Sequence, residues 1–239
     1  MFFSGIYTFL SIAVFGLLYV ITGISVLLVM IFTWLHAKRI AQYLTMIWAR
    51  TVFFMMGKRL RVSGKENISK NEKYILVANH GSIFDIVAIM SFYPKLSWFG
   101  HERLLKVPVF SRFLKMTDYV PFREPTVTNT RHMLEQLMER SQSQKVALLP
   151  EGTRTTSGKI NPFYRGFIYL FRTKRMPILP VTLNGFYDFK PKTRFYIDFR
   201  SKLEVVIHTP IPCEELIEKS DREIIDIVKS KMESAYRNN

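Results

Sequence analysis

The N-terminal segment of this chain limits its fold more than any other feature, because no Lys, Arg, Asp or Glu occurs before Lys38. Ile6 to Leu35 is almost wholly apolar or aromatic and exceeds the roughly 20 residues that a helix needs to cross a bilayer core. A secretory signal peptide carries basic residues ahead of a shorter apolar core, so we expect this segment to stay in the mature protein. Residues 1–36 are therefore predicted to form a membrane anchor. The anchor spans once, which we favour, or turns back near Gly16 or Gly23 as a helical hairpin.

A basic stretch follows at residues 37–61. Its Lys and Arg side chains meet no acidic residue before Glu66, and the positive-inside rule then places the rest of the chain on the cytoplasmic side of the membrane. Apolar side chains recur at helical spacing from Lys38 to Met56. This predicts an amphipathic helix that either lies at the membrane surface, with its bases toward lipid phosphates, or packs on the domain as an ordinary helix. We favour the membrane surface because an apolar anchor precedes the helix.

The formal net charge of +15 indicates an anionic partner. Beside an apolar anchor, anionic membrane lipid is favoured, and we expect no nucleic acid because no zinc finger, helix-turn-helix or ribonucleoprotein pattern is present. Cys213 is the single cysteine. It cannot form an internal disulfide, which agrees with a reducing cytoplasm, and it has no metal-ligand spacing around it.

After the basic stretch, short apolar runs alternate with helical patterns over residues 62–239. Several runs are apolar on both faces, as central strands of an α/β sheet are. The pattern predicts one α/β domain with a mixed, mostly parallel central sheet flanked by helices. Predicted strands are Tyr74–Ala78, Ser97–Gly100, Tyr119–Phe122, Val146–Leu149 and Ile178–Leu183, with Phe195–Phe199 and Leu203–His208 as an antiparallel pair. Predicted helices are Ile83–Phe92, Phe110–Lys115, Val127–Ser141, Tyr164–Thr173 and Asp221–Tyr236.

Asn79 to Asp85 read Asn-His-Gly-Ser-Ile-Phe-Asp after a predicted buried strand. His80 is thus expected at the carboxyl end of that strand, where open α/β sheets form their binding crevices. Asp85 can orient an imidazole nitrogen and stabilise the protonated ring, so that His80 takes a proton from an alcohol that attacks an acyl group. The alternative is that Ser82 and Asp85 form a helix capping box and that His80 is an ordinary loop residue.

A second predicted strand ends in Pro-Glu-Gly-Thr-Arg at residues 150–154. A glycine in a turn lets backbone N–H groups approach an anion, and an arginine offers a planar fork for phosphate. The alternative is a polar loop whose glutamate and arginine pair with each other. Two further bases, at positions 123 and 165, are expected at loops where they could converge on the same site. The candidate acceptor-binding residues are Arg123, Glu151, Gly152, Thr153, Arg154 and Arg165.

Four blocks in this order resemble the glycerolipid acyltransferase family, especially the 1-acylglycerol-3-phosphate acyltransferases. They are Asn79-His80-x-x-x-x-Asp85, Phe122-Arg123, residues 150–154 and Ile178-Leu179-Pro180-Val181. The likeness runs from about Val62 to Gly185. Order and spacing together make the resemblance far more specific than any single block.

The resemblance implies an acyltransferase domain at residues 62–239. It implies transfer of a fatty acyl group from acyl-CoA or acyl carrier protein to the free hydroxyl of a lysophospholipid, with no metal or other cofactor. By the same motifs, His80 is the general base, Asp85 its orienting carboxylate, and Arg154 the strongest ligand for the acceptor phosphate. The family commonly has Lys where Tyr164 stands, so acceptors other than lysophosphatidic acid stay open. A lipid hydrolase is disfavoured because no Gly-x-Ser-x-Gly elbow occurs, and a non-catalytic lipid-binding protein leaves His80 and Arg154 unexplained.

Overall fold

The computed structural model describes residues 2–69, 72–93, 96–101, 105–106, 111, 120–122, 135–136, 139 and 145–237. The predicted helices at residues 110–115 and 127–141 fall largely outside this part of the chain, and so does Arg123.

A seven-stranded sheet with the order β1-β7-β6-β2-β5-β3-β4 forms the centre of the described part. Only β6 and β7 pair antiparallel, and the other neighbours pair parallel. The predicted mixed, mostly parallel sheet is therefore confirmed. The strands are β1 (Arg61–Ser63), β2 (Ile75–Ala78), β3 (Leu96–His101), β4 (Val120–Phe122), β5 (Lys145–Leu148), β6 (Ile178–Asn184) and β7 (Glu204–Ile207).

Helices cover both faces of the sheet. Successive residues of a strand point to opposite faces, and in β2 Leu76 and Ala78 join one apolar core while Ile75 and Val77 join the other. The first core is closed by α1, α2 and α3, and the second by α4 and α7. The helices are α1 (Phe2–Trp34), α2 (Lys38–Met55), α3 (Phe84–Met90), α4 (Gly166–Lys174), α5 (Phe186–Phe189), α6 (Cys213–Leu216) and α7 (Asp221–Glu233).

One strand prediction is wrong, and one strand was missed. Phe195–Phe199 forms bends and turns instead of a strand, because its rings pack on α1 as described below. Leu203–His208 contains β7, which pairs antiparallel with β6 and parallel with β1. The sequence pattern did not predict β1, whose three residues form no apolar run.

The apolar anchor is a single continuous helix, α1, that runs unbroken through Gly16 and Gly23. The reversal predicted as an alternative at these glycines is therefore wrong, and the chain turns back only after α1, at residues 35–37. Its segment Gly5–Trp34 is long and apolar enough to cross a membrane, judged by length and composition alone. Large apolar side chains are exposed along much of its length, among them Phe9, Ile12, Val20, Leu27 and Trp34.

The second helix, α2, packs on α1 and on the domain. Trp48 donates a hydrogen bond from Nε1 to Oγ1 of Thr22 at 3.1 Å, and Ala49, Val52 and Phe53 are buried. The ordinary packed helix, which we had disfavoured, thus describes one side of α2. Its other side exposes apolar side chains, so contact with a membrane surface stays a prediction. The exposed residues are Ile40, Tyr43, Ile47 and Phe54.

The first half of α1 also contacts a loop in the C-terminal part of the chain, residues 190–201. The Ser11 hydroxyl is fully buried and accepts a hydrogen bond from the Ile197 N–H at 2.9 Å. The ring centroid of Tyr7 lies 6.1 Å from that of Tyr196, and Phe15 meets Phe195 edge to face at 5.9 Å. The anchor is therefore part of the packed structure and not an independent tether.

Replacing Ser11 by Ala tests this contact. The variant leaves the buried Ile197 N–H without its acceptor, which costs about 1–3 kcal/mol, so we expect faster hydrogen–deuterium exchange across residues 190–201. The control is Thr33→Ala, because the Thr33 hydroxyl donates to the carbonyl of Val29 in its own helix and bonds no other described residue. Equal exchange in the two variants would show that α1 does not hold the loop.

Candidate active site

His80 lies just beyond the carboxyl end of the central strand β2, as predicted. The preceding Asn79 continues the pairing of β2 with β6 through its side chain. Its Nδ2 donates to the Leu183 carbonyl at 3.0 Å, and its Oδ1 accepts from the Leu183 N–H at 2.7 Å. The buried amide thus stands in for a backbone pair and fixes the position of His80 relative to the sheet.

The His80 imidazole pairs with a fully buried carboxylate, that of Asp85. His80 Nδ1 lies 2.8 Å from Asp85 Oδ2, and the same oxygen accepts the N–H groups of Gly81 at 2.7 Å and Ser82 at 2.8 Å. An ionised carboxylate only accepts hydrogen bonds, so Nδ1 carries the proton. This leaves the Nε2 lone pair for a proton from a substrate, which is the geometry of a general base with its orienting acid.

Asp85 serves the entry of α3 as well as His80. In a capping box the third residue accepts the N–H of the N-cap residue, and Asp85 accepts the N–H of Ser82 in this way. The reciprocal bond is absent, because the Asp85 N–H donates to the Ser82 carbonyl at 3.4 Å. The Ser82 hydroxyl instead accepts the Phe84 N–H at 3.4 Å and donates to the carbonyl of Lys190 at 2.9 Å. One carboxylate oxygen therefore makes the hydrogen bond expected of a helix cap as well as the bond that orients the imidazole.

The loop after β5, residues 149–158, is bound to the His80 peptide on both sides. Glu151 Oε1 accepts the His80 N–H at 2.7 Å, and Oε2 accepts the Asn161 N–H at 2.8 Å. The Thr155 N–H donates to the His80 carbonyl at 2.8 Å. Glu151 is 2% exposed and forms no ion pair with Arg154, which is the alternative interpretation of this loop. Its carboxylate binds the His80 N–H to the loop. The assignment of Glu151 to acceptor binding rests on the sequence motif alone.

Gly152 is required by the turn of this loop. Its φ of 66° lies in the left-handed region, and a Cβ at this position would lie 3.1 Å from the Tyr164 ring. The Tyr164 N–H donates to the carbonyl of Pro150 at 2.8 Å. The ring thus packs over the glycine and closes one side of the loop.

A cleft of about 400 Å³ opens beside the loop. Thr153 and Arg154 line it, as predicted for an acceptor site, and Glu151 forms part of its wall. Arg165 is exposed ahead of α4 and is absent from the lining, so the structure does not bring it to this cleft. Within the described residues no cluster of three His, Cys, Asp or Glu side chains is placed to hold a metal. The remaining lining residues are Thr156, Asn161, Pro162, Phe163, Tyr164 and Lys192.

The acyltransferase family model matches residues 59–184, more than half of the chain, and this range contains His80, Asp85 and the whole loop. The chain belongs to the acyltransferase family. A putative 1-acyl-sn-glycerol-3-phosphate acyltransferase of Caenorhabditis elegans is 28% identical over 225 residues, 90% of this chain and 77% of the relative. The human alpha form of that enzyme is 25% identical over 198 residues, 77% and 66% of the two chains.

Other acyltransferases extend the comparison. A chloroplast 1-acyl-sn-glycerol-3-phosphate acyltransferase of Brassica napus is 25% identical over 178 residues, 74% of this chain and 52% of the relative. This chain thus spans about half the length of that relative. The crystal structure of the 1-acyl-sn-glycerophosphate acyltransferase PlsC from Thermotoga maritima superimposes with a TM-score of 0.81 at 22% identity and covers 97% of this chain and 96% of its own. At that identity the likeness shows the shared fold.

Three residues near this acyltransferase site carried no signal in the sequence. Tyr236, after α7, donates from its hydroxyl to the Gly158 carbonyl at 2.7 Å and so ties the C-terminal segment to the loop. Burial raises the pKa of Tyr236 to about 12, and the negative charge of the nearby Glu151 carboxylate contributes to the same shift. Lys190 and Lys192 come from the loop after α5, where burial and then the charge of Arg154 lower the pKa of Lys190. None of the three belongs to a motif.

Asp85→Asn tests the charge of the orienting carboxylate. The amide oxygen can still accept the three hydrogen bonds, but the negative charge that stabilises protonated His80 is removed. We expect the rate of acyl transfer at saturating substrate to fall by about 10²–10⁴-fold. The control is Asp226→Asn, which changes an exposed carboxylate on α7. A wild-type rate in a folded Asp85→Asn protein would exclude the assigned role.

A second prediction concerns pH and Glu151. Burial raises the pKa of Glu151 from 4.5 to about 7, although the N–H groups of Asn161 and His80 oppose the shift. The folded protein then binds more protons than the unfolded chain between these pH values, so stability falls as pH rises from about 4.5 to about 7. A shift of this size corresponds to as much as about 3 kcal/mol.

The Glu151→Gln variant lacks this titration. Its free energy of unfolding in detergent micelles, relative to wild type, should therefore rise over the same pH interval. Glu218→Gln, at an exposed position just after α6, serves as the control. Its free energy of unfolding should change with pH in parallel with that of wild type. Parallel curves for Glu151→Gln and wild type would contradict the raised pKa.

Proposed function

We propose that this protein transfers a fatty acyl group from an acyl thioester to the free hydroxyl of 1-acylglycerol-3-phosphate and forms phosphatidic acid. The observation that carries the proposal is the His80–Asp85 pair at 2.8 Å. The backbone N–H and carbonyl of His80 are hydrogen-bonded to the loop that contains Arg154. The names of the relatives, which are acyltransferases of this acceptor, support the same reaction.

The reaction uses His80 first as a base and then as an acid. Nε2 takes the proton of the acceptor hydroxyl while the hydroxyl oxygen attacks the thioester carbonyl. Asp85 stabilises the imidazolium that results. The new C–O ester bond forms, the C–S bond breaks, and the departing thiolate receives the proton from Nε2. The thioester is itself the activated donor, so the step needs neither a metal nor ATP. Acyl-CoA or acyl carrier protein supplies the thioester.

The acceptor phosphate is assigned to the loop after β5. Arg154 presents a guanidinium fork, which suits the oxygens of a phosphate, and Thr153 adds a hydroxyl at the cleft wall. The backbone turn at Gly152 keeps the loop close to Tyr164 and leaves its outer side open. Arg123 remains a predicted ligand of the same phosphate on the strength of its motif.

The membrane is assigned to α1 and to the exposed side of α2. The apolar side chains exposed on both helices would be buried by lipid acyl chains, which favours insertion by about 25 cal/mol per Å² of apolar surface. The basic residues after α1 favour a cytoplasmic catalytic domain over anionic membrane lipid. The acyl chains of both substrates would then stay in the bilayer while the polar chemistry takes place above it.

The test is an acyl-transfer assay with a panel of acceptors. Membranes that contain the protein are incubated with labelled acyl-CoA or acyl carrier protein and with lysophosphatidic acid or its choline, ethanolamine and glycerol esters. We expect labelled phosphatidic acid from the first acceptor, and its loss in His80→Ala because the base is removed. His36→Ala, which changes an exposed histidine between α1 and α2, is the control.

Each contrary result has a distinct meaning. Equal product from wild type and His80→Ala would exclude His80 as the base. Free fatty acid without diacyl product would indicate a hydrolase. Liposome binding without any turnover would indicate a lipid-binding protein that is not an enzyme.

A further inference from the structure

The loop at residues 190–201 brings a second cation to the cleft that Arg154 lines. Lys192 forms part of the cleft wall together with Arg154 and Thr153. Lys190 lies close enough to Arg154 for its pKa to be lowered, after burial, by that positive charge. Three cations from two separate segments of the chain thus meet on one side of the domain.

These cations have no acidic partner among the described residues. Within the described part of the chain, none of the three forms an ion pair. The Lys190 Nζ is directed to the carbonyls of Pro191, at 3.2 Å, and Arg194, so its donors serve the loop itself. Lys192 is exposed and makes no hydrogen bond to a described residue. An uncompensated group of like charges attracts an anion, and Lys192 is the member with donors to spare.

Tyr164 makes this cation more informative. It lines the same cleft but brings a ring where the resembled family commonly has Lys, and its ring packs over Gly152. The cleft therefore has one cation from its own loop, Arg154, and receives the next from a segment nearly forty positions further along the chain. The cation pair is formed by tertiary structure and not by a motif.

We propose that Lys192 is a specificity-determining residue that binds the acceptor's phosphomonoester together with Arg154. The proposal rests on the proposed function and extends it to the choice of head group. A phosphomonoester carries a charge of about −1.5 to −2 near neutral pH, which two cations match. A phosphodiester head group carries a single negative charge and a further substituent, so it gains less from the second cation and has less room beside it.

The position of Lys192 depends on how the loop is held. Arg194 donates from its guanidinium to the carbonyls of Phe189 at 3.2 Å and Tyr196 at 3.2 Å, which closes the loop on itself. The Ile197 N–H is bound to Ser11 of α1. Lys192 thus lies on a segment whose backbone is held on the C-terminal side of Lys192, beside the cleft that this side chain lines.

The proposal is tested by binding and by turnover. Binding of hexanoyl-lysophosphatidic acid is measured by calorimetry in detergent without an acyl donor, beside glycerol 3-phosphate and the corresponding lysophosphatidylglycerol. For Lys192→Ala we expect affinity for both phosphomonoesters to fall about 10- to 100-fold, the worth of a hydrogen bond to a charged group. Affinity for the phosphodiester should change little. In turnover, KM for lysophosphatidic acid should rise by the same factor with kcat unchanged.

Two further variants sharpen the test. Lys202→Ala removes an exposed cation of the neighbouring segment that does not line the cleft and should behave as wild type. The double variant Lys192→Ala, Tyr164→Lys places a cation at position 164, which lines the same cleft. We expect this double variant to recover the preference for the phosphomonoester.

The outcomes separate this proposal from the proposed function. Equal affinities in Lys192→Ala and Lys202→Ala would overturn the role of Lys192 even if the wild type forms phosphatidic acid. A loss of kcat on every acceptor, with KM unchanged, would also overturn it, because it would indicate a general disturbance of the site. A wild type that binds the phosphomonoester through Lys192 but forms no diacyl product would instead contradict the reaction.

Discussion

One carboxylate oxygen, Oδ2 of Asp85, organises the site. It lies in a fully buried position and receives hydrogen bonds from an imidazole and two backbone N–H groups. A buried carboxylate is costly unless such partners surround it, so the turn from β2 into α3 and the orientation of His80 depend on each other. Removing the histidine would weaken the turn, and opening the turn would release the histidine. The second buried carboxylate, Glu151, extends the same arrangement to the neighbouring loop by accepting the His80 N–H.

The sheet explains why two motifs far apart in the chain become neighbours. β2 pairs in parallel with β5, so both strands end at the same edge of the sheet, where α/β folds gather their ligands. His80 follows the first strand and the loop with Arg154 follows the second. The fold thus brings His80 and the Arg154 loop together by strand pairing, and the hydrogen bonds of Glu151 and Thr155 to the His80 peptide then fix the distance between them.

The sequence predicted the elements whose signals are local. Strands such as β2 and β6, buried at every residue, are visible as apolar runs. The start of α7 is local in the same way, because Ser220 and Glu223 form a capping box whose spacing is readable in the sequence. The strand predicted at Phe195–Phe199 does not form, because the aromatic residues of this segment pack against α1. An apolar pattern does not reveal which element will cover it. The direction in which Glu151 points was likewise invisible, since a motif gives the residue type without its hydrogen-bond partners. Lys192 and Tyr236 reach the site through tertiary packing, for which neither spacing nor composition carries information.

The contact between α1 and the loop at residues 190–201 affects how a shortened protein should be interpreted. A chain that begins after residue 37 would lose the hydroxyl that binds the Ile197 N–H and the rings that pack on Phe195 and Tyr196. Such a truncation therefore removes two features at once, the apolar helix that we propose inserts into lipid and the contacts that order the loop beside the cleft. Reduced activity in the truncated protein would not by itself measure the contribution of the membrane. Separating the two requires an anchor whose lipid-facing side chains are changed while Tyr7, Ser11 and Phe15 are kept.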